Sequence, residues 1–194
     1  LKTRFFVLCL ALLSFAFSSC DRDQPTPKYT RAWLSQAGGE QLTFRNAGTG
    51  ATATLLAQVQ DVTHSLAGKF DFRSHDYQVI TLTYHQSVFP QAELCQLQFN
   101  GDGYLALGYA APDFTRCALV DTAPKSAQEV VSGTELADAE LLNNLVLDGR
   151  SYARVVHLRY RQGAWNDLTE YWYSKADGLV AYTRADGQTW YRVH

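Results

Sequence analysis

The sequence predicts an all-β protein, an antiparallel sandwich or an open β-barrel or half-barrel of about nine to twelve strands. Three observations carry this. Apolar residues recur at period two in one segment after another, as in Ile80, Leu82 and Tyr84, or Cys95, Leu97 and Phe99. Turn-forming pairs such as Asp148-Gly149 and Asp186-Gly187 punctuate these segments at short spacing. Aromatic residues make up 13% of the chain, which favours half-buried pleated surfaces over helices.

In chain order, Lys2 and Arg4 precede an apolar run over residues 5–17, and Ser18 and Ser19 stand directly before Cys20. This is the layout of a secretory signal peptide over residues 1–19. Its end resembles a lipobox, the site where bacterial lipoproteins are acylated and cut. The resemblance implies a palmitate-bearing Cys20 as the first residue of the mature protein, a membrane anchor and a place in the bacterial cell envelope, in either membrane. The apolar run is too short to span a bilayer as a helix, which takes roughly 20 residues. Residues 20–29, polar and spaced by Pro25 and Pro27, read as an extended tether. Residues 30–194 are of a size for one β-rich domain.

Within that domain, Leu42 and Phe44 alternate in a first strand, and Ala53, Leu55, Ala57 and Val59 in a second across the turn at residues 47–50. Phe70 and Phe72 suggest a short strand, and residues 78–85 a longer one. The pair around Asn100-Gly101-Asp102-Gly103 allows a sharper inference. A two-residue turn would throw Leu105 and Leu107 onto the polar face, so the loop must be odd in length. With Gly103 left-handed, Phe99 pairs with Leu105 and Leu97 with Leu107. Residues 121–140 are the least legible: a short helix at 126–131 or 136–142 is as compatible as a loop. Leu145 and Leu147 then precede Asp148-Gly149, followed by Tyr152, Val156, Leu158 and Tyr160. Three closing strands, at 169–174, 179–184 and 189–193, complete the pattern.

The stretch from Asp148-Gly149-Arg150-Ser151-Tyr152, with Tyr171-Trp172-Tyr173-Ser174-Lys175-Ala176-Asp177-Gly178-Leu179-Val180 and Gly187-Gln188-Thr189-Trp190, resembles the closing pattern of uncharacterised β-rich lipoproteins common in Bacteroidetes. Trp33-Leu34, Gly38 and Phe44 are similar to their opening. These are turn and core signatures, and the resemblance implies fold and anchoring without bringing a catalytic residue.

The chemistry on offer is sparse. The net charge of −2 gives no concentrated basic face, so nucleic acid is not expected as a partner. Cys95 and Cys117 remain after Cys9 and Cys20 are accounted for, and they either pair in the oxidising envelope or stay as buried thiols. A simple meander of the strands around Leu97, Leu107 and Leu119 would hold them about 10 Å apart, beyond the roughly 7 Å reach of a disulfide. The five histidines lack metal-ligand spacing, so no metal or cofactor is expected. His75-Asp76 lies in an expected loop, without a nucleophile elbow. Gly48-x-Gly50 and Gly101-x-Gly103 read as turns. Glu170 with Glu140 or Asp167 would form a carboxylate pair only if the fold brought them together.

If Ser174 pairs with Leu179 and Ala185 with Gln188, then Tyr171, Tyr173, Val180, Tyr182, Tyr191 and Val193 share the core face. Glu170, Trp172, Trp190 and Arg192 then share the other, with Arg192 over Trp172 as a cation-π pair. That face is either covered or the binding surface. The leading expectation is a non-enzymatic, lipid-anchored envelope module that binds a small ligand or another envelope protein. An inhibitor or immunity-like protein acting through a protruding loop at 121–140 is the second, and a hydrolase around His75 or Glu170 the third.

Overall fold

The computed structural model describes residues 24–67, 74–86, 89–109, 115–123, 130–161 and 167–194. Residues 1–23, where the signal peptide and Cys20 were expected, lie outside these, as does the short strand expected at Phe70 and Phe72. After a four-residue helix α1 (Lys28–Arg31), twelve strands follow: β1 (Gln41–Asn46), β2 (Thr52–Ala67), β3 (Ser74–Gln86), β4 (Phe89–Asn100), β5 (Tyr104–Tyr109), β6 (Thr115–Asp121), β7 (Val130–Gly133), β8 (Ala137–Leu147), β9 (Arg150–Tyr160), β10 (Leu168–Ser174), β11 (Gly178–Arg184) and β12 (Thr189–Arg192).

They form one antiparallel up-and-down sheet in which each strand lies beside its sequence neighbour, and β12 returns to pair with β1. The expected all-β class is therefore the observed one, in its barrel form. The remaining seam lies between β7 and β8, which are joined by the tight turn at 134–136, where the Thr134 N–H donates to the Ala137 carbonyl at 3.1 Å. The barrel is thus nearly closed. The expected helix at 136–142 is instead the start of β8, residues 130–133 are β7, and residues 124–129, where most of the other expected helix at 126–131 falls, lie outside the described residues.

Alternation explains what the barrel holds. Leu42 and Phe44, Leu55 and Ala57, Ile80, Leu82 and Tyr84, Leu105 and Leu107, and Tyr171 and Tyr173 all enter one buried cluster, while Thr43, Gln58, Gln96, Gln98 and Arg159 stay outside it. Near-closure leaves β7 and β8 as the two ends of the sheet, joined by a tight turn, where an open sheet of this length would expose two free edges. The interior is aromatic and filled, while the outward positions of β1 and β4, such as Gln41, Thr43, Gln96 and Gln98, are polar. The odd-length loop is as expected: Gly103 has φ 90°, and Phe99 pairs with Leu105 and Leu97 with Leu107.

One end of the barrel, here the near end, carries the 101–103 and 175–177 turns and the C-terminus; the far end carries the 134–136 and 185–188 turns. The near end is plugged by the chain that precedes β1. Gln24, assigned by sequence to the tether, already bridges to Tyr77, donating to the Asp76 carbonyl and accepting from the Gln78 N–H. The Thr30 and Thr122 hydroxyls bond at 2.7 Å, and Trp33 is wholly buried, its carbonyl accepting from the Tyr173 hydroxyl at 2.6 Å. Gln36 then donates to the Asp177 carbonyl and accepts from Tyr84, whose own oxygen accepts from the Leu179 N–H. Gly178 is required here, because a Cβ would sit 1.9 Å from the Gln36 amide and its φ is 74°.

A second, smaller cluster lies on the outer wall. Arg154 has φ 52° and interrupts the β9 ladder, so the outer parts of β8 and β9 form an arm. Tyr152, Leu145 and Leu147 of this arm pack with Val155, Val180 and Trp172. Ion pairs from Asp148 to Arg45 and from Arg150 to Asp177 hold the arm against β1 and the near-end turn.

Candidate functional site

The outer wall of β8, β9 and β10 brings together an aromatic ring, a histidine and charges of both signs. The ladders set the rows: Glu140 lies opposite His157 and His157 opposite Trp172, while Asp138 lies opposite Arg159 and Arg159 opposite Glu170. Neighbouring strands lie about 4.8 Å apart, so side chains of one row must touch. The His157 ring accordingly stacks on Trp172, with centroids 4.5 Å apart and planes at 7°. Glu140 Oε1 lies 3.1 Å from His157 Nδ1 and Glu170 Oε2 lies 2.8 Å from Nε2. Each ring nitrogen thus has a carboxylate within hydrogen-bond distance, which fixes the plane of the imidazole.

Exposure differs sharply within the group. The His157 side chain is 9% exposed and Glu170 21%, whereas Glu140 is 63% exposed. Glu170 is also shared with the Arg159 guanidinium at 3.3 Å. Arg161 donates to Asp138 at 2.9 Å and, being paired, holds that carboxyl below its usual pKa. A depression of about 260 Å³ lies over this wall, lined by Asp138, Ala139, Glu140, His157 and Arg159. The result is a half-buried indole fixed in orientation, on a wall whose other groups are charged. Such a surface can bind a partner with complementary charge and a flat apolar contact.

Trp172 and Glu170 are here as the sequence implied, but Trp190 and Arg192 are not. Trp190 is 8% exposed and faces the interior, opposite Tyr182 and stacked on it at 6.2 Å. Arg192 lies opposite Phe44 and reaches the Glu40 carboxylate at 3.2 Å and the Asp177 carbonyl, so no cation-π pair with Trp172 forms. The cause is a one-residue difference in register. Thr183 pairs with Thr189, and the Arg184 N–H bonds the Gln188 carbonyl. Each side chain of β12 therefore takes the opposite face to the one expected. Val180 moves to the outer cluster for a related reason, since Ser174 pairs with Gly178 and a bulge follows between Trp172 and Tyr173.

Cys95 and Cys117 are free and buried, on β4 and β6, with β5 between them. Burial raises both thiols, Cys117 to about 11 and Cys95 further. Asp167 pairs with Arg184 and takes no part in the histidine group. The backbone of His75 and Asp76 lies in β3, where a loop had been expected. Among the described residues no group of three or more His, Cys, Asp or Glu could hold a metal ion. Sequence reasoning named Glu140, Trp172 and Glu170 but passed over His157. Its signal was parity: Glu140, His157 and Trp172 all sit on outward positions of successive strands. Set against known proteins, the chain matches no family model, no curated protein and no solved structure.

Proposed function

We propose that this protein is a lipid-anchored binding module of the bacterial cell envelope, which engages another envelope protein through the outer wall of β8, β9 and β10. The observation that carries the reading is the Trp172 ring held flat against His157, which is itself fixed at both nitrogens by Glu140 and Glu170. An indole ordered in advance loses little freedom on binding, and Trp with flanking Arg is a common anchor of protein interfaces. Interior binding is disfavoured because Trp33, Phe44, Tyr84, Phe99, Tyr171 and Tyr173 are fully buried in the barrel. The anchoring part of the reading rests on the lipobox-like Ser18-Ser19-Cys20 and on the resemblance to β-rich lipoproteins.

A hydrolase is less well supported, since Glu140 and Glu170 are engaged with one histidine on an open wall. The inhibitor reading rests on a protruding loop within residues 121–140, of which 130–133 and 137–140 lie in β7 and β8 and 124–129 lie outside the described residues. The test is capture of the partner from native envelope with the tagged protein, followed by Trp172→Ala and Arg159→Glu. Both variants should lose the partner while keeping a cooperative unfolding transition. Undiminished capture by both would exclude this wall.

A further inference from the structure

We infer that the near end of the barrel is held against the lipid surface, so that the far end and the side wall are what the protein presents to partners. This rests on acylation of Cys20. The argument is one of reach. Sequence alone suggests a tether running to Tyr29, but Gln24 is already fixed by the Asp76 carbonyl and the Gln78 N–H, and its carbonyl lies against Gly101. Only four residue steps separate Cys20 from this point, a span of at most about 14 Å. The far-end turn is separated from the near end by the seven residues of β11 alone, roughly 23 Å of strand. A chain of that reach cannot let the barrel turn its far end to the membrane.

The plug makes the attachment rigid. Thr26 bonds the Gln78 side chain and the Phe99 carbonyl, and Arg31 donates to both Thr26 and Gln78. Pulling on the tether therefore loads the barrel itself, not a loose leader. Charge does not set this orientation. Lys28, Arg31, Arg150 and Lys175 at this end are matched by Asp61, Asp76, Asp102 and Asp177, so the apposition should withstand salt, unlike a polybasic contact.

The experiment uses the full acylated protein in vesicles of phosphatidylethanolamine and phosphatidylglycerol, a fraction of the lipid carrying a nitroxide on its headgroup. A thiol-reactive fluorophore is placed at Lys28→Cys on α1 or at Ala185→Cys in the far-end turn; Cys95 and Cys117 are buried. Fluorescence at position 28 should be quenched by contact with the spin-labelled headgroups and that at 185 should not, in low and high salt alike. Inserting twenty Gly/Ser residues after Asp23 lengthens the free chain to a coil of roughly 27 Å, and the quenching at 28 should be lost. Equal quenching at both positions, or a difference that survives the insertion, overturns the inference. Failure of acylation is read separately: no fatty acid on Cys20 and no flotation with the vesicles would remove the anchor and this inference together.

Discussion

Replacing Trp190 and Trp172 one at a time by alanine tests the register of the closing strands. Trp190 is 8% exposed, stacked on Tyr182 and part of the barrel cluster. Truncating such a residue leaves a cavity that costs about 3–5 kcal/mol. Trp172 is half-buried and loses mainly its stack on His157 and part of the small outer cluster, about 1–2 kcal/mol in all. Urea unfolding of a protein comprising residues 24–194, followed by far-ultraviolet circular dichroism, separates the two. Trp190→Ala should move the midpoint substantially and Trp172→Ala slightly, both with an unchanged slope. A third variant sharpens the test. The Trp190 indole N–H has no partner among the described residues, so Trp190→Phe keeps most of the ring, removes a buried unpaired donor, and should stay within about 1 kcal/mol of wild type. Equal losses in the two alanine variants, or a larger loss for Trp172, would put Trp190 back on the outer wall and refute the register.

Gly178→Ala should destabilise by at least about 1–2 kcal/mol from its left-handed backbone alone, and more from displacing Gln36; thermal unfolding reads this directly. Tyr173→Phe removes the hydroxyl bond to the Trp33 carbonyl and should cost about 1 kcal/mol, measured by the same melt. In a protein comprising residues 24–194, Cys95 and Cys117 should not react with a thiol reagent at neutral pH in the native state, and both should react after denaturation without reductant; fewer than two reacting thiols would mean a disulfide. Burial raises the pKa of Tyr84, Tyr171, Tyr173 and Tyr182. Their unfolded forms ionise first, so this stability is complete below about pH 10 and is lost as pH rises through the folded values. Alkaline titration should show tyrosinate absorbance appearing together with unfolding, and gradual ionisation of all tyrosines in a folded protein would contradict it.

What could be read from the sequence depended on how unequal the two faces of a strand were. Around Gly101-Asp102-Gly103 one face of β4 is apolar and the other carries Gln96, Gln98 and Asn100, so only one register buries the apolar set, and the structure has it. Thr189-Trp190-Tyr191-Arg192-Val193 offers large apolar groups at both parities, so a slip of one residue costs little in pattern, and the slip decided where Trp190 points. The plug was illegible for another reason. Pro25, Thr26, Pro27 and Lys28 have the composition of a linker, and the burial of Thr26, Thr30 and Trp33 comes from the opening they fill. The bend at Arg154 has no sequence signal, since a non-glycine residue with positive φ is uncommon. The His157 group needed three strands in register before its members could be seen as neighbours.

The pairing of β12 with β1 has a kinetic consequence. Phe44 and Arg192 lie at opposite ends of the described chain yet sit side by side, so the barrel cannot close until the last residues have arrived. Local hairpins such as the one formed by β2 and β3 can form early, but the closing contact must overcome the entropy of a loop almost as long as the domain. A chain crossing a membrane from its N-terminus would hold an open sheet, with β1 and β11 as free edges, until the final strand emerged. Deletion of β12 should leave a protein that associates through those edges before it ever completes its fold.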